Sequence, residues 1–167
     1  RIAIGGTSSG AHLAALVGVT NGHRVLEGTV GDHLDQSSDV EAILSYYGAS
    51  NLTTILTQTT PEGLSVREPA LEALLGALPD QELDMARLAS PVLHVAQSAP
   101  PLMLLHGDQD PQMPINQSYE FEAAYKTIGL DVYFAVLPGA VHGGEDDFFS
   151  AERNARAAQF LRRTIGQ

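Results

Sequence analysis

Three residues of this chain have the types and the order needed to make a serine hydroxyl nucleophilic: Ser8, Asp110 and His142. Ser8 stands in Gly6-Thr7-Ser8-Ser9-Gly10, a G-x-S-x-G pentapeptide between a short apolar run and an Ala/Leu-rich stretch. In a strand–turn–helix setting that turn is sharp, the serine backbone is strained and its hydroxyl is exposed at the strand tip. Small residues two before and two after the serine let strand and helix come close. Ser9 does not fit the motif, because Thr7 and Ala11 occupy the places where its glycines would stand. A serine hydroxyl is a poor nucleophile until a neutral imidazole takes its proton. A buried carboxylate then fixes the imidazole tautomer and stabilises its cation. His142, in Pro138-Gly-Ala-Val-His142-Gly-Gly, and Asp110, before Pro111, are the candidates for those two roles. The chemistry such a set performs is nucleophilic acyl transfer.

Each residue also has a plainer reading. The pentapeptide occurs in Gly/Ser-rich βα loops and phosphate-cradling turns, His142 can be a loop histidine, and Asp110 a turn residue. Asp108 competes with Asp110. Asp110 is preferred because it lies farther from the strand end, where a loop can turn back toward His142. His106 reads as structural, hydrogen-bonding the loop behind it, and His12 as packed against neighbouring loops. Glu145, Asp146 and Asp147 read as a solvated helix N-terminus. No H-x-x-x-H spacing is present, so neither a metal site nor a cofactor site is read from the sequence.

What must position these groups is a series of strands alternating with helices. Residues 1–5, 40–46, 101–106 and 132–137 read as apolar strands, the first three of them buried. Residues 9–20 read as a helix with Leu13, Leu16 and Val17 on one face, stopped by Asn21-Gly22, and 22–38 as surface loop. Residues 51–95 differ in character. They are Thr-rich, then helical over about 69–78 with Pro69 in the first turn, then helical again to Leu88 after a cap at Asp80. Lying between two core strands, they are expected to form an insertion folded over the sheet. Residues 116–128 read as a helix capped by Asn116 and stopped by Gly129. Phe148, Ala151, Ala155, Ala158, Leu161 and Ile165 recur at three- and four-residue spacing, the pattern of a closing amphipathic helix. The alternation implies an α/β fold, a mainly parallel sheet with helices on both faces. Ligands bind such sheets at the carboxyl ends of the strands. Ser8, Asp110 and His142 follow the first, third and fourth strand.

At 167 residues the chain is one domain's worth and can bury a real core. The formal net charge of −11 argues against nucleic acid as a partner, because a phosphate backbone would be repelled. No apolar run approaches the ~20 residues of a membrane span. With no cysteine, disulfides, thiolate metal sites and cysteine nucleophiles are excluded. The chain begins with Arg1, inside a strand, and so reads as part of a longer polypeptide.

Taken together, Gly6-Thr-Ser-Ser-Gly-Ala-His-Leu-Ala14, Tyr47-Gly48, Ser90-Pro91, Pro100-Pro101-Leu-Met-Leu-Leu-His-Gly-Asp-Gln-Asp110, Met113-Pro114 and Gly139-Ala-Val-His-Gly143 resemble α/β-hydrolase esterases. The nearest group is the one shared by hormone-sensitive-lipase-like carboxylesterases and feruloyl-esterase-like (BD-FAE) domains. The resemblance implies a C-terminal portion of the α/β-hydrolase fold acting on small carboxylic esters without metal or organic cofactor. It assigns Ser8 as nucleophile, Asp110 as triad acid, His142 as general base and the Ser9 amide as one oxyanion donor. Ser9, Ala11 and Met113 depart from the family's usual Ala, Gly and Val. The family's other oxyanion donors lie on an H-G-G loop of an earlier strand. Gly5-Gly6 and Gly143-Gly144 stand in the wrong places to replace it, so these residues alone are expected to be weakly active or inactive. The first strand would then be an exposed apolar edge, open to homo-oligomerisation. A serine peptidase of the prolyl-oligopeptidase type and a non-catalytic hydrolase-like binding module stay open as alternatives.

Overall fold

Four parallel strands set the position of every other element. The computed structural model describes residues 1–166. In chain order the elements are β1 (Ala3–Thr7), α1 (Ser9–Val19), the one-turn α2 (Arg24–Glu27), β2 (Ala42–Tyr46), α3 (Ile55–Gln58), α4 (Pro61–Leu75) and α5 (Leu83–Leu88). A 3-10 turn (Pro91–His94) follows, then β3 (Leu102–Gly107), α6 (Asn116–Thr127), β4 (Val132–Leu137), α7 (Glu145–Phe148) and α8 (Ala151–Ile165). The strands lie in the order β1-β2-β3-β4, each parallel to its neighbour.

Side chains alternate across the sheet, as the two-residue period of a strand requires. Ile43, Leu102 and Leu104 pack with Ala15 and Val19 of α1 and Phe121 and Tyr125 of α6. Ala42, Met103 and Leu105 face the other way, onto Phe148, Ala157 and Phe160 of α7 and α8. Both faces of the sheet are therefore covered, as the alternation of strands and helices implies. Joining consecutive parallel strands through α1 and α6 on a single face is the arrangement that right-handed crossovers produce. No described helix is long and apolar enough to cross a membrane.

Several local expectations are corrected. β1 is shifted to Ala3–Thr7 and is half-exposed rather than buried, because among the described residues it pairs on one side only, with β2. On α1, Leu13 and Val17 face outward at 56% and 40% exposure, and the buried face is Ala11, Ala14, Ala15 and Gly18. The helix lies so close to the sheet that a Cβ on Gly18 would run into the Ile43 side chain. Only small residues fit there, so apolar spacing alone selects the wrong face.

The helix expected over 69–78 is α4, which starts eight residues earlier. Thr60 caps it by accepting from the Gly63 N–H at 3.1 Å, and Pro61 takes the first helical position. Pro69 is interior, where its missing N–H leaves one carbonyl of the helix without its usual donor. Asp80 does not cap α5, and Asn116 is the first residue of α6 rather than its cap. Phe148 belongs to α7, and α8 turns Ala157 and Phe160 inward while Ala151 and Ala155 are exposed.

Residues 51–95 are helical and build a small core of their own from Leu52, Ile55, Leu71, Leu75 and Ala86, closed by Met113. Polar ties fasten this segment to α6. The Gln117 Oε1 accepts from the Ser50 and Asn51 N–H groups at 2.9 and 2.7 Å. The Glu120 carboxylate accepts from Asn51, Thr54 and Gln58.

In the turn after β1 the backbone approach is tight, since a Cβ on Gly6 would meet the Gly10 carbonyl and the Ala11 nitrogen. Backbone cannot move aside as a side chain can. We expect Gly6→Ala to lower unfolding free energy by about 1–3 kcal/mol, read as the urea midpoint at constant m. An unchanged midpoint would show that the approach is looser than described.

Candidate active site

The strand–turn–helix at β1 and α1 builds the first part of the site. Ser8 has φ 51° and ψ −120°, a left-handed conformation that a side chain strongly disfavours. Strain of this kind costs about 1–3 kcal/mol and persists only where surrounding contacts impose it. Here the Ser8 N–H donates to the Tyr46 carbonyl at 3.0 Å. Its own carbonyl accepts from the Ala11 and His12 N–H groups, both at 3.1 Å. The elbow is thus pinned to β2 on one side and to the first turn of α1 on the other. Ser9 begins α1, so its N–H has no partner within the helix.

His142 comes from the loop after β4, and Asp110 from the loop after β3. The two loops are stitched together by the Gly139 N–H donating to the Asp108 carboxylate at 2.7 Å and the Gln109 N–H to the Ala140 carbonyl at 3.1 Å. Across this junction the His142 Nδ1–H donates to Asp110 Oδ2 at 2.7 Å, and the Ser8 hydroxyl donates to His142 Nε2 at 2.8 Å. The structure therefore brings Ser8, His142 and Asp110 into one hydrogen-bonded chain, although they lie 134 and 32 residues apart along the sequence. Asp108, the competing carboxylate, is spent on the loop itself.

Asp110 is completely shielded from solvent and His142 is 11% exposed at its side chain. Burial pushes the Asp110 carboxyl upward. Hydrogen bonds from His106, His142 and the Met113 N–H, with the His142 charge, outweigh that and hold it well below the usual carboxylate range. Its other oxygen accepts from the Gln112 and Met113 N–H groups at 2.9 and 2.8 Å. With the carboxylate ionised and accepting at Nδ1, His142 keeps Nε2 free to accept from Ser8.

Sequence reasoning missed two supports. His106 does hydrogen-bond the loop behind it, its Nε2–H donating to the Met113 carbonyl at 3.0 Å, but it also stands 3.3 Å from Asp110 Oδ2. Its Nδ1 accepts from the Ser118 hydroxyl at 2.7 Å, which fixes the tautomer. Tyr47 sets its ring edge-on to His142, with centroids 5.0 Å apart, and packs on Phe148. It does so from a left-handed backbone of φ 45°, directly after β2. His12 is held as expected, donating from Nε2 to the Ala89 carbonyl at 2.7 Å. Burial lowers its pKa, the Ala89 contact opposing. Among the described residues no cluster of three or more His, Asp or Glu side chains is arranged to hold a metal ion.

Comparison with known proteins gives this geometry a context. The family model described as BD-FAE matches residues 1–125. Esterase LipQ of Mycobacterium tuberculosis (strain ATCC 25618 / H37Rv) is 34% identical over 148 residues, covering 84% of this chain and 32% of that protein. A truncated form of a carbohydrate esterase from gut microbiota superposes with a TM-score of 0.85 at 28% identity, covering 98% of this chain and 59% of that one. A puromycin-hydrolyzing peptidase of M. tuberculosis superposes with a TM-score of 0.75 at 26% identity, covering 99% of this chain and 22% of that one. The chain spans about a third of the length of the curated esterases it matches.

The Asp110 environment sets a stability test. A carboxylate whose pKa is depressed by folding stabilises the fold above its unfolded value, near ~3.9, and loses that contribution as pH falls toward the folded value. We expect Asp110→Asn to be less stable than the parent by about 1–3 kcal/mol at pH 7, the gap narrowing below about pH 4. Urea unfolding of both proteins between pH 3 and 7 measures it. A gap independent of pH would mean that Asp110 is not an enclosed anion.

Proposed function

The chain belongs to the BD-FAE family, with an α/β-hydrolase fold, and from that membership we propose that it hydrolyses carboxylic esters through an acyl-enzyme formed on Ser8. The observation that carries this reading is the continuous hydrogen-bonded chain Ser8–His142–Asp110.

In the proposed reaction His142 Nε2 takes the Ser8 proton as Oγ attacks the ester carbonyl carbon. The negative charge that develops on the carbonyl oxygen is received by the Ser9 N–H, assisted by the positive end of α1. Collapse of the tetrahedral intermediate breaks the C–O bond, and the departing alkoxide takes the proton back from His142. A water deprotonated by His142 then attacks the acyl carbon; the bond to Ser8 Oγ breaks, Oγ takes the proton back from His142 and the carboxylic acid leaves. Asp110 keeps its proton off throughout. Its part is to orient the ring and to stabilise the imidazolium. The strained Ser8 backbone serves the same end by presenting Oγ to Nε2.

A single backbone donor is a thin oxyanion site. Loss of one such donor costs about 10²–10³ in rate, so the 167 residues by themselves are expected to turn over slowly unless further donors are supplied from outside them. We read residues 51–95 as a cap-like segment that shapes the substrate's surroundings, because their helices rise beside the Ser8 turn and carry their own core. Ile55 of this segment lines a cavity beside that turn.

A fluorophosphonate probe should form one adduct, located at Ser8 by peptide mass spectrometry, and Ser8→Ala should abolish both the adduct and the hydrolysis of short-chain aryl esters. His142→Ala should lower kcat by about 10⁴–10⁶. Hydrolysis of aryl amides at rates rivalling the esters would favour a peptidase. Absence of any adduct, with those further donors supplied, would leave a hydrolase-like binding module.

A further inference from the structure

Beside the Ser8 turn lies a cavity of about 220 Å³ whose wall is almost wholly apolar, including Leu13, Leu52, Ile55, Leu71, Leu74 and Met113. Ser9, the proposed oxyanion donor, is also in that wall, so the cavity opens where one end of a bound ester must lie. One charged side chain enters it, Arg67 of α4. Its Nε–H is shut off from solvent and has no acceptor. Among the described residues Arg67 forms no ion pair.

Arg67 is half-buried as a residue, and the Nε–H is the part of it cut off from water; a buried donor left without an acceptor is costly. Burial draws the guanidinium's pKa below its ordinary value, with the Asp110 charge acting the other way. Asp110 cannot supply the missing acceptor, because His142, His106, Gln112 and Met113 already surround its two oxygens. A planar guanidinium is matched to a carboxylate, which it can bind through two parallel hydrogen bonds.

We propose that Arg67 is a specificity residue, and that the cavity beside Ser8 takes the carboxylate-bearing end of an anionic ester. This rests on the ester-hydrolase reading above. Either side of the scissile bond could bring the carboxylate, a half-ester of a dicarboxylic acid on the acyl side or a carboxyaryl alcohol on the other.

Two pairs of substrates separate these sources: 4-methylumbelliferyl hemisuccinate against the butyrate, and 4-acetoxybenzoate against 4-tolyl acetate. The anionic-to-neutral ratio of kcat/KM should fall about ten- to a hundredfold in Arg67→Met for one pair, and Arg67→Lys should retain part of it. A ratio unmoved in both pairs overturns the proposal, including the case where both rates drop together because Arg67 merely supports the fold or Asp110. Binding removes the dependence on turnover. In Ser8→Ala protein, NMR titration should show methyl hydrogen succinate or 4-acetoxybenzoate binding more tightly than its neutral counterpart, and Ser8→Ala/Arg67→Met should lose that preference. Anion preference without hydrolysis of any ester, even with further oxyanion donors supplied, would refute the ester-hydrolase reading and leave the anion site standing. Hydrolysis without anion preference would do the reverse.

Discussion

The enclosed carboxylate of Asp110 is the constraint around which the rest of the molecule is arranged. A charge removed from water must be surrounded by donors or it will take up a proton. Two backbone N–H groups of its own loop hold one oxygen, while His142 and His106 close on the other. That arrangement fixes more than charge. It sets the path of residues 110–113, orients the His142 ring and leaves Nε2 as an acceptor facing Ser8. Remove the carboxylate and the imidazole loses its reason to prefer one tautomer.

The parallel sheet makes the arrangement achievable. Because the strands are parallel, the loops after β1, β3 and β4 all lie at the carboxyl end of the sheet, and each carries one member of the chain. Fine adjustment then comes from strain and clamping. Ser8 and Tyr47 both adopt left-handed backbone conformations directly after a strand, and both bring a side chain to His142, one from below its Nε2 and one against its ring. The contacts between the Asp108–Gln109 and Gly139–Ala140 segments keep the acid and base loops in register. Positions that break the local backbone rules coincide with positions where the chemistry is proposed, as is general for such sites.

Much of the fold could be read from the residues because parallel strands are buried on both faces and appear as short apolar runs. β4 matches the expected 132–137, and β2 and β3 lie within one or two residues of theirs. The shared order of Ser8, Asp110 and His142 after strands one, three and four could also be read, and so could the BD-FAE resemblance. Helix faces and starts were harder. α1 packs through Ala and Gly because the sheet is too near for Leu, an effect of distance that periodicity does not carry. α4 offered two prolines, and the choice of Pro61 over Pro69 depends on the Thr60 cap before it. His106 and Tyr47 touch the site from a strand interior and a strand end, and only three-dimensional proximity reveals what they support. Arg67 carries no local signal at all, since its significance lies in having no partner.

The hydrogen-bonded state of the His142 ring is the most direct measure of the central claim. Nitrogen-15 and proton NMR of ring-labelled protein near neutral pH should show His142 protonated at Nδ1 and unprotonated at Nε2, with a strongly downfield Nδ1 proton that disappears in Asp110→Asn. A ring protonated at Nε2, or an Nδ1 proton indifferent to that substitution, would contradict the relay from Ser8 to Asp110.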